Sequence, residues 1–203
     1  MARDLRPKHK LCRKFGEKLC DSPKCPLLRR SYPPGIHGPS KKHHTKLGSY
    51  GKQLLEKQKV KRIYGILERQ FSNYVAEASK KTGDTSKFLL HYLESRLDNV
   101  VYRSGLANSR AAARQLVTHG HVLVNGKKLD IASYRVRVGE TVGIKAKTHQ
   151  SKLFENRTET IAKKDMPSWL SVDAKALTAK VLNSPTVANP NFDANSIIGF
   201  YSR

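Results

Sequence analysis

The sequence predicts an α+β chain. A mainly helical domain is joined to a small module of two helices plus a small antiparallel sheet, and a basic N-terminal extension with zinc-knuckle-like spacing precedes both. Three observations predict this. Apolar residues recur at spacings of three and four through residues 51–103, the period falls to two after Gly120, and all three cysteines lie between Cys12 and Cys25. The expected division is 1–49 for the extension with its candidate zinc site, 50–92 plus 151–203 for the helical domain, and 93–150 for the helix-and-sheet module.

Residues 1–49 carry little helical or strand periodicity. Pro33-Pro34-Gly35 forces an extended path and then a turn, because proline fixes φ and disfavours helix in the residue before it. Residues 39–49 are polar, basic and glycine-containing, as expected of a loop. From Gly51 to Lys81, Ile63, Leu67, Phe71, Tyr74 and Ala78 mark an apolar helical stripe that Gly65 interrupts. Lys57, Lys59, Lys61, Arg62 and Arg69 are expected on the other faces. Lys80 and Lys81 read as plain solvated charge.

A single helix is expected from about Lys87 to Arg103, with Leu89, Leu93, Leu97, Val100 and Val101 inward and Arg96, Asn99 and Arg103 on an adjacent polar stripe. Gly105 ends it. Asn108 or Ser109 caps a further helix that carries Arg110 and Arg114 four apart, and Gly120 stops it. Val122 and Val124 then lead into Asn125-Gly126, a type I′ hairpin signal. Tyr134, Val136 and Val138 alternate with Arg135 and Arg137 as a strand, and Val142 and Ile144 continue the sheet. The segment around Trp169 is expected to pack back on the helices.

Charge narrows the function. The net charge is +23 and the pI about 10.2, and residues 1–50 alone hold 13 Lys/Arg against 3 Asp/Glu. Basic residues interspersed through the first three quarters of a chain are the footprint of a nucleic-acid binder. An anionic membrane is the rival partner, but no run of about 18 apolar residues occurs. The start lacks a secretory apolar stretch, so a cytoplasmic protein is expected. No Gly-Lys-Ser/Thr phosphate loop, Gly-x-Ser-x-Gly elbow or paired-carboxylate motif is recognisable, which argues against an enzyme.

RNA is the favoured nucleic acid. Arg96, Arg103, Arg110 and Arg114 converge on two adjoining helices, and guanidinium forks suit phosphate better than ammonium groups do. His119 and His121 flank a helix end and are read as RNA contacts or caps rather than a metal pair. Tyr32, Tyr64 and Tyr134 are candidates for stacking on bases, with core packing an equal reading for Tyr64. In the extension, His9 and Cys12 have the two-residue gap of a zinc ligand pair, and Cys20 and Cys25 have a four-residue gap. Together they form a candidate Cys3His site for one structural zinc, with His37, His43, His44 or Asp21 as alternatives to His9.

The stretches CPLLRRSYPPGIHG (25–38), EKQKVKRIYGILERQF (56–71), LLHYLESRLDNVVYR (89–103) and ARQLVTHGHVLVNG (113–126) resemble the family of bacterial small-ribosomal-subunit protein four, founders of the S-four RNA-binding domain. IASYRVRVG (131–139), PSWLSVD (167–173), the opening MAR and the terminal FYSR extend that resemblance over nearly the whole chain. It implies a non-enzymatic, primary binder of the small-subunit rRNA 5′ domain that nucleates assembly of the subunit body. It also implies neighbours: ribosomal proteins three and five of the small subunit, mRNA near its entrance channel, and a contribution to translational accuracy. Matching positions imply rRNA contacts by Arg3, Arg13, Tyr32, His37, Arg62, Arg69, Arg96, Asn99, Arg103, Arg110, Arg114, Gln115, His119, His121 and Arg137. Two departures stand out. His9 occupies the place of the family's first cysteine with a shortened loop between the ligand pairs, and PSKKHHTKLGS (39–49) is longer than the family's usual basic loop. Lys41, Lys42 and Lys46 stand there in place of arginines.

Overall fold

The structure is a computed structural model that describes residues 7–20, 22, 24–39, 47–149, 151, 154, 157–162, 165–186 and 192–202. Arg3, Asp21, Lys41, Lys42, His43, His44 and Lys46, all named above, lie outside the described residues. The elements in chain order are α1 (Lys8–Phe15), a 3-10 turn (Pro26–Leu28), α2 (Ser49–Tyr64), α3 (Glu68–Ser79), α4 (Thr85–Glu94), α5 (Leu97–Arg103), α6 (Arg110–Thr118), β1 (Val122–Val124), β2 (Lys127–Lys128) and β3 (Thr141–Ile144). Then follow α7 (Ala146–His149), α8 (Arg157–Ala162), β4 (Leu170–Asp173), β5 (Thr178–Val181) and α9 (Ala194–Tyr201). They divide into two compact units, Met1–Leu89 with Asn189–Arg203, and Leu90–Ala188.

In the first unit, Gly65 separates α2 from α3 as the sequence predicts. Its φ of 63° is left-handed, and its N–H bonds back to Lys61 O. Val60, Tyr64, Ile66, Phe71, Tyr74, Val75 and Ala78 are buried, whereas Leu67, expected in the stripe, caps α3 and is exposed. Helix α9 packs on α2 and α3 through Tyr50–Phe200 and Phe71–Tyr201 ring contacts, with centroids 5.5 and 6.1 Å apart. Gly199 makes the approach close, because a Cβ there would sit 3.1 Å from Gln53 Nε2.

In the second unit, α5 and α6 share one core with an antiparallel sheet of order β2-β1-β3-β5-β4. Asn125 and Gly126 take φ of 49° and 79°, as a type I′ turn requires. Ser109, not Asn108, caps α6 by accepting from Ala112 N.

Three expectations are corrected here. The single helix from Lys87 to Arg103 breaks between α4 and α5, where Arg96 is extended (φ −60°, ψ 137°) and bridges Arg135. The groups at the break bond across instead of along a helix: Val136 N donates to Ser95 O at 2.8 Å and Leu97 N to Tyr134 O at 2.8 Å. For the same reason residues 134–138 form that single bridge rather than a regular strand. Finally, residues 151–186 do not belong with the helical domain. Strand β5 is hydrogen-bonded to β3 and β4 to β5, and Trp169 lies in the sheet's core.

Candidate nucleic-acid interface

The seam between α5 and α6 is built on two buried carboxylates. Asp98 accepts Arg96 Nε and Nη2 at 3.0 and 2.8 Å, and its Oδ2 also accepts Arg114 Nε and Nη2 at 2.9 and 2.6 Å. Glu94, 0% exposed, accepts Arg103 Nε and Nη2 at 3.0 and 2.9 Å and Asn99 Nδ2 at 2.8 Å. Asn99 Oδ1 in turn accepts Arg110 Nε at 2.9 Å, and the Arg110 guanidinium lies 4.4 Å over the Tyr102 ring. Four guanidinium charges against two carboxylates leave the seam two positive charges in surplus. Carboxylate forks hold Arg96, Arg103 and Arg114, and the Asn99 bond and Tyr102 ring hold Arg110, so less side-chain freedom remains to be lost when a phosphate binds.

This arrangement divides the arginines read from the sequence. Arg103, Arg110 and Arg114 are partly exposed. Arg96 at 0% and Asn99 at 1% are not, which corrects their expected place on an outward polar stripe. The helix break turns Arg96 inward, and Asn99 serves as the link between Glu94 and Arg110. Glu94 and Asp98 were missed by reasoning that counted cations. Their signal was an acid within an otherwise apolar stretch, Leu93-Glu94 and Leu97-Asp98.

Elsewhere, Gln115, His119, Arg137, Arg69 and His37 are exposed, and His121 is half-buried with Nδ1 3.1 Å from Thr148 Oγ1. Tyr134 is half-buried and donates to Glu140 Oε1 at 2.8 Å. Arg62 is half-buried, and burial lowers the pKa of its guanidinium. Arg13 stacks 4.7 Å over Tyr32 and donates to Tyr32 O and Pro33 O at 3.1 Å each, which pins the Pro-Pro turn. Lys57, Lys59 and Lys61 are buried, contrary to their expected outward placement. Lys57 and Lys61 reach Glu68 at 2.9 and 2.5 Å, and Lys59 reaches Glu17 at 2.6 Å.

In the extension, His9, Cys20 and Cys25 bring one donor atom each within 4.8 Å of one another, an arrangement suited to a metal ion. Cys12, completely buried, packs with Cys20 and Cys25 but is not among the three converging donors. Burial, then the Cys25 and Cys12 thiols, pushes Cys20 up to about 11. Burial opposes ionisation of Cys25 too, but the Leu27 backbone and the His9, Cys20 and Cys12 side chains outweigh it and bring Cys25 down to about 7. His37 is not part of this group.

Comparison with known proteins matches two consecutive stretches of the chain. Residues 3–94 match the Ribosomal protein S4/S9 N-terminal domain, and residues 95–142 match the S4 domain. The chain is 48% identical to small ribosomal subunit protein uS4 of Acetivibrio thermocellus, 47% to that of Halothermothrix orenii and 46% to that of Thermus thermophilus, with all of both chains covered in each case. The chain belongs to the uS4 family. The boundary of the two uS4 matches, between residues 94 and 95, falls at the break that separates Glu94 from Asp98. The S4-domain match stops at residue 142, whereas the sheet it begins runs on into β5 and β4.

Proposed function

We propose that this chain is a structural, non-catalytic constituent of the small ribosomal subunit. It binds the rRNA 5′ domain early and nucleates assembly of the subunit body. The observation that carries this reading is the α5–α6 seam: partly exposed arginines on buried carboxylates, within the stretch that matches the S4 domain. Phosphate contacts from such fixed guanidinium groups supply affinity and register. Arg3, Arg13, Tyr32, His37, Arg62, Arg69, Gln115, His119, His121 and Arg137 also contact the rRNA. In the assembled subunit the chain neighbours proteins three and five and contributes to the mRNA entrance and to accuracy. The test is titration of the full chain with a 5′-domain transcript over a range of salt. Tight, steeply salt-dependent binding that an unrelated structured RNA of equal length does not match is the expected result, and equal affinity for both RNAs overturns the specificity claim.

The extension holds one structural zinc through His9, Cys12, Cys20 and Cys25. Three sulfurs and an imidazole are a donor set suited to closed tetrahedral coordination; the grouping of the His9, Cys20 and Cys25 donors, with Cys12 packed against both cysteines, supports this reading. A zinc there would order a segment with few apolar residues. Native mass spectrometry should find one zinc, lost on Cys12→Ser and on His9→Ala. Retention on His9→Ala would hand the fourth position to another ligand.

A further inference from the structure

A hollow of about 360 Å³ opens beside α6 in the second unit. Ala112, Leu116 and Phe154 give it an apolar floor, and Gln115, His119 and His121 stand among its polar lining. None of its described lining residues is acidic. The two imidazoles are near-parallel, 13° between planes with centroids 6.2 Å apart. Thr148 holds the His121 ring, while Arg157, over the Phe154 ring at 5.8 Å, donates to Asn108 Oδ1 and so closes another wall.

We propose that this hollow receives one unstacked nucleobase of the bound rRNA, an inference that rests on the RNA-binding reading above. The volume falls within the range of ligand sites, so a single base fits and a folded element does not. A phosphate is the poorer occupant. The floor is apolar, and the site extends to Gln115 and His119, at the carbonyl end of α6, where the helix dipole disfavours anions. A flat ring with hydrogen-bonding edges suits the apolar floor for its face, the amide of Gln115 for its edge and the imidazoles for stacking. The seam arginines would then grip backbone phosphates while this hollow reads a base.

The test is chemical probing of the 5′-domain transcript bound to the full chain, beside a salt titration. Ala112→Phe fills the hollow without altering charge. The expected result is about tenfold weaker binding, the size of one lost base stack, with the salt slope unchanged. One base protected by the native chain should regain reactivity, with the remaining footprint intact. Where circular dichroism shows Ala112→Phe misfolded, Gln115→Ala with His119→Ala carries the test, because both side chains are exposed. Native affinity and an identical footprint in the folded variant overturn the proposal. Failure of the native chain to prefer the transcript over control RNA is a separate result, which strikes the RNA-binding reading itself and this inference with it.

Discussion

The two units bury ion pairs in opposite senses. In the second unit the carboxylates are inside: Glu94 and Asp98 expose 0% and 5% of their side chains, while Arg103 exposes 31% and Arg114 11%, with Arg96 alone of the three paired arginines buried beside them at 1%. In the first unit the cations are inside: Lys57 and Lys61 expose 7% and 8%, while the Glu68 they share exposes 47%. One arrangement pushes positive charge outward on a rigid mount, and the other withdraws it. Net charge therefore overstates the surface offered to RNA, because three of the lysines in α2 are occupied within the protein. Residue type fits the division. A guanidinium can fork a buried acid and still present an outer edge, whereas an ammonium group is a compact point charge that turns inward whole.

Asp98→Ala should have the largest effect. It removes the buried carboxylate that Arg96 forks, and breaking a buried pair costs about 3–5 kcal/mol. Urea unfolding followed by circular dichroism measures the loss. A loss below about 1 kcal/mol would mean that the second unit tolerates an open charge, contrary to the order of burial. Replacing both partners, as Arg96→Met with Asp98→Leu, should restore most of the stability while weakening RNA binding, since Arg114 loses its mount.

Next in size is the effect on RNA affinity. Arg110→Ala with Arg114→Ala should lower the slope of log affinity against log salt by about one per arginine, with the fold retained. Lys57→Met with Lys61→Met should leave that slope unchanged, although the two substitutions remove the same formal charge. Equal slope changes in both pairs would show that the inward lysines reach RNA after all and dissolve the contrast between the units.

Much of this was legible beforehand. The α2–α3 punctuation at Gly65, the Asn125-Gly126 turn, the Ser109 cap and the His9–Cys25 cluster follow from local chemistry, which acts within a few residues. What was not legible depended on partners distant in sequence. Arg96 leaves the helical path where its neighbours Ser95, Leu97 and Asp98 bond to residues 132–136, and residues 170–181 join the sheet through the pairing of β5 with β3. Periodicity reported that Arg96 and Asn99 lay off the apolar stripe. It could not report that a buried acid waited there.

The smallest effect concerns the Glu68 clasp. Burial alone would raise this carboxyl, but donors from Lys61, Tyr201 and Lys57 outweigh it and hold the pKa at about 2. Tyr201, half-buried and bonded to Glu68 at 2.6 Å, has its own pKa raised by burial and by that carboxylate and stays a donor. A folded pKa below the unfolded value, near 4.3 for glutamate, stabilises the fold above the unfolded pKa. That contribution disappears as pH falls toward about 2, when the carboxylate takes up its proton. Glu68→Gln should therefore cost about 1 kcal/mol at neutral pH, a modest figure because the carboxylate is half in water. It should also flatten the decline in stability between about pH 5 and 2, where only the native side chain titrates. Thermal melts of both forms across that window measure the difference. Parallel pH curves would show that solvent, rather than the two lysines and Tyr201, sets the protonation of Glu68.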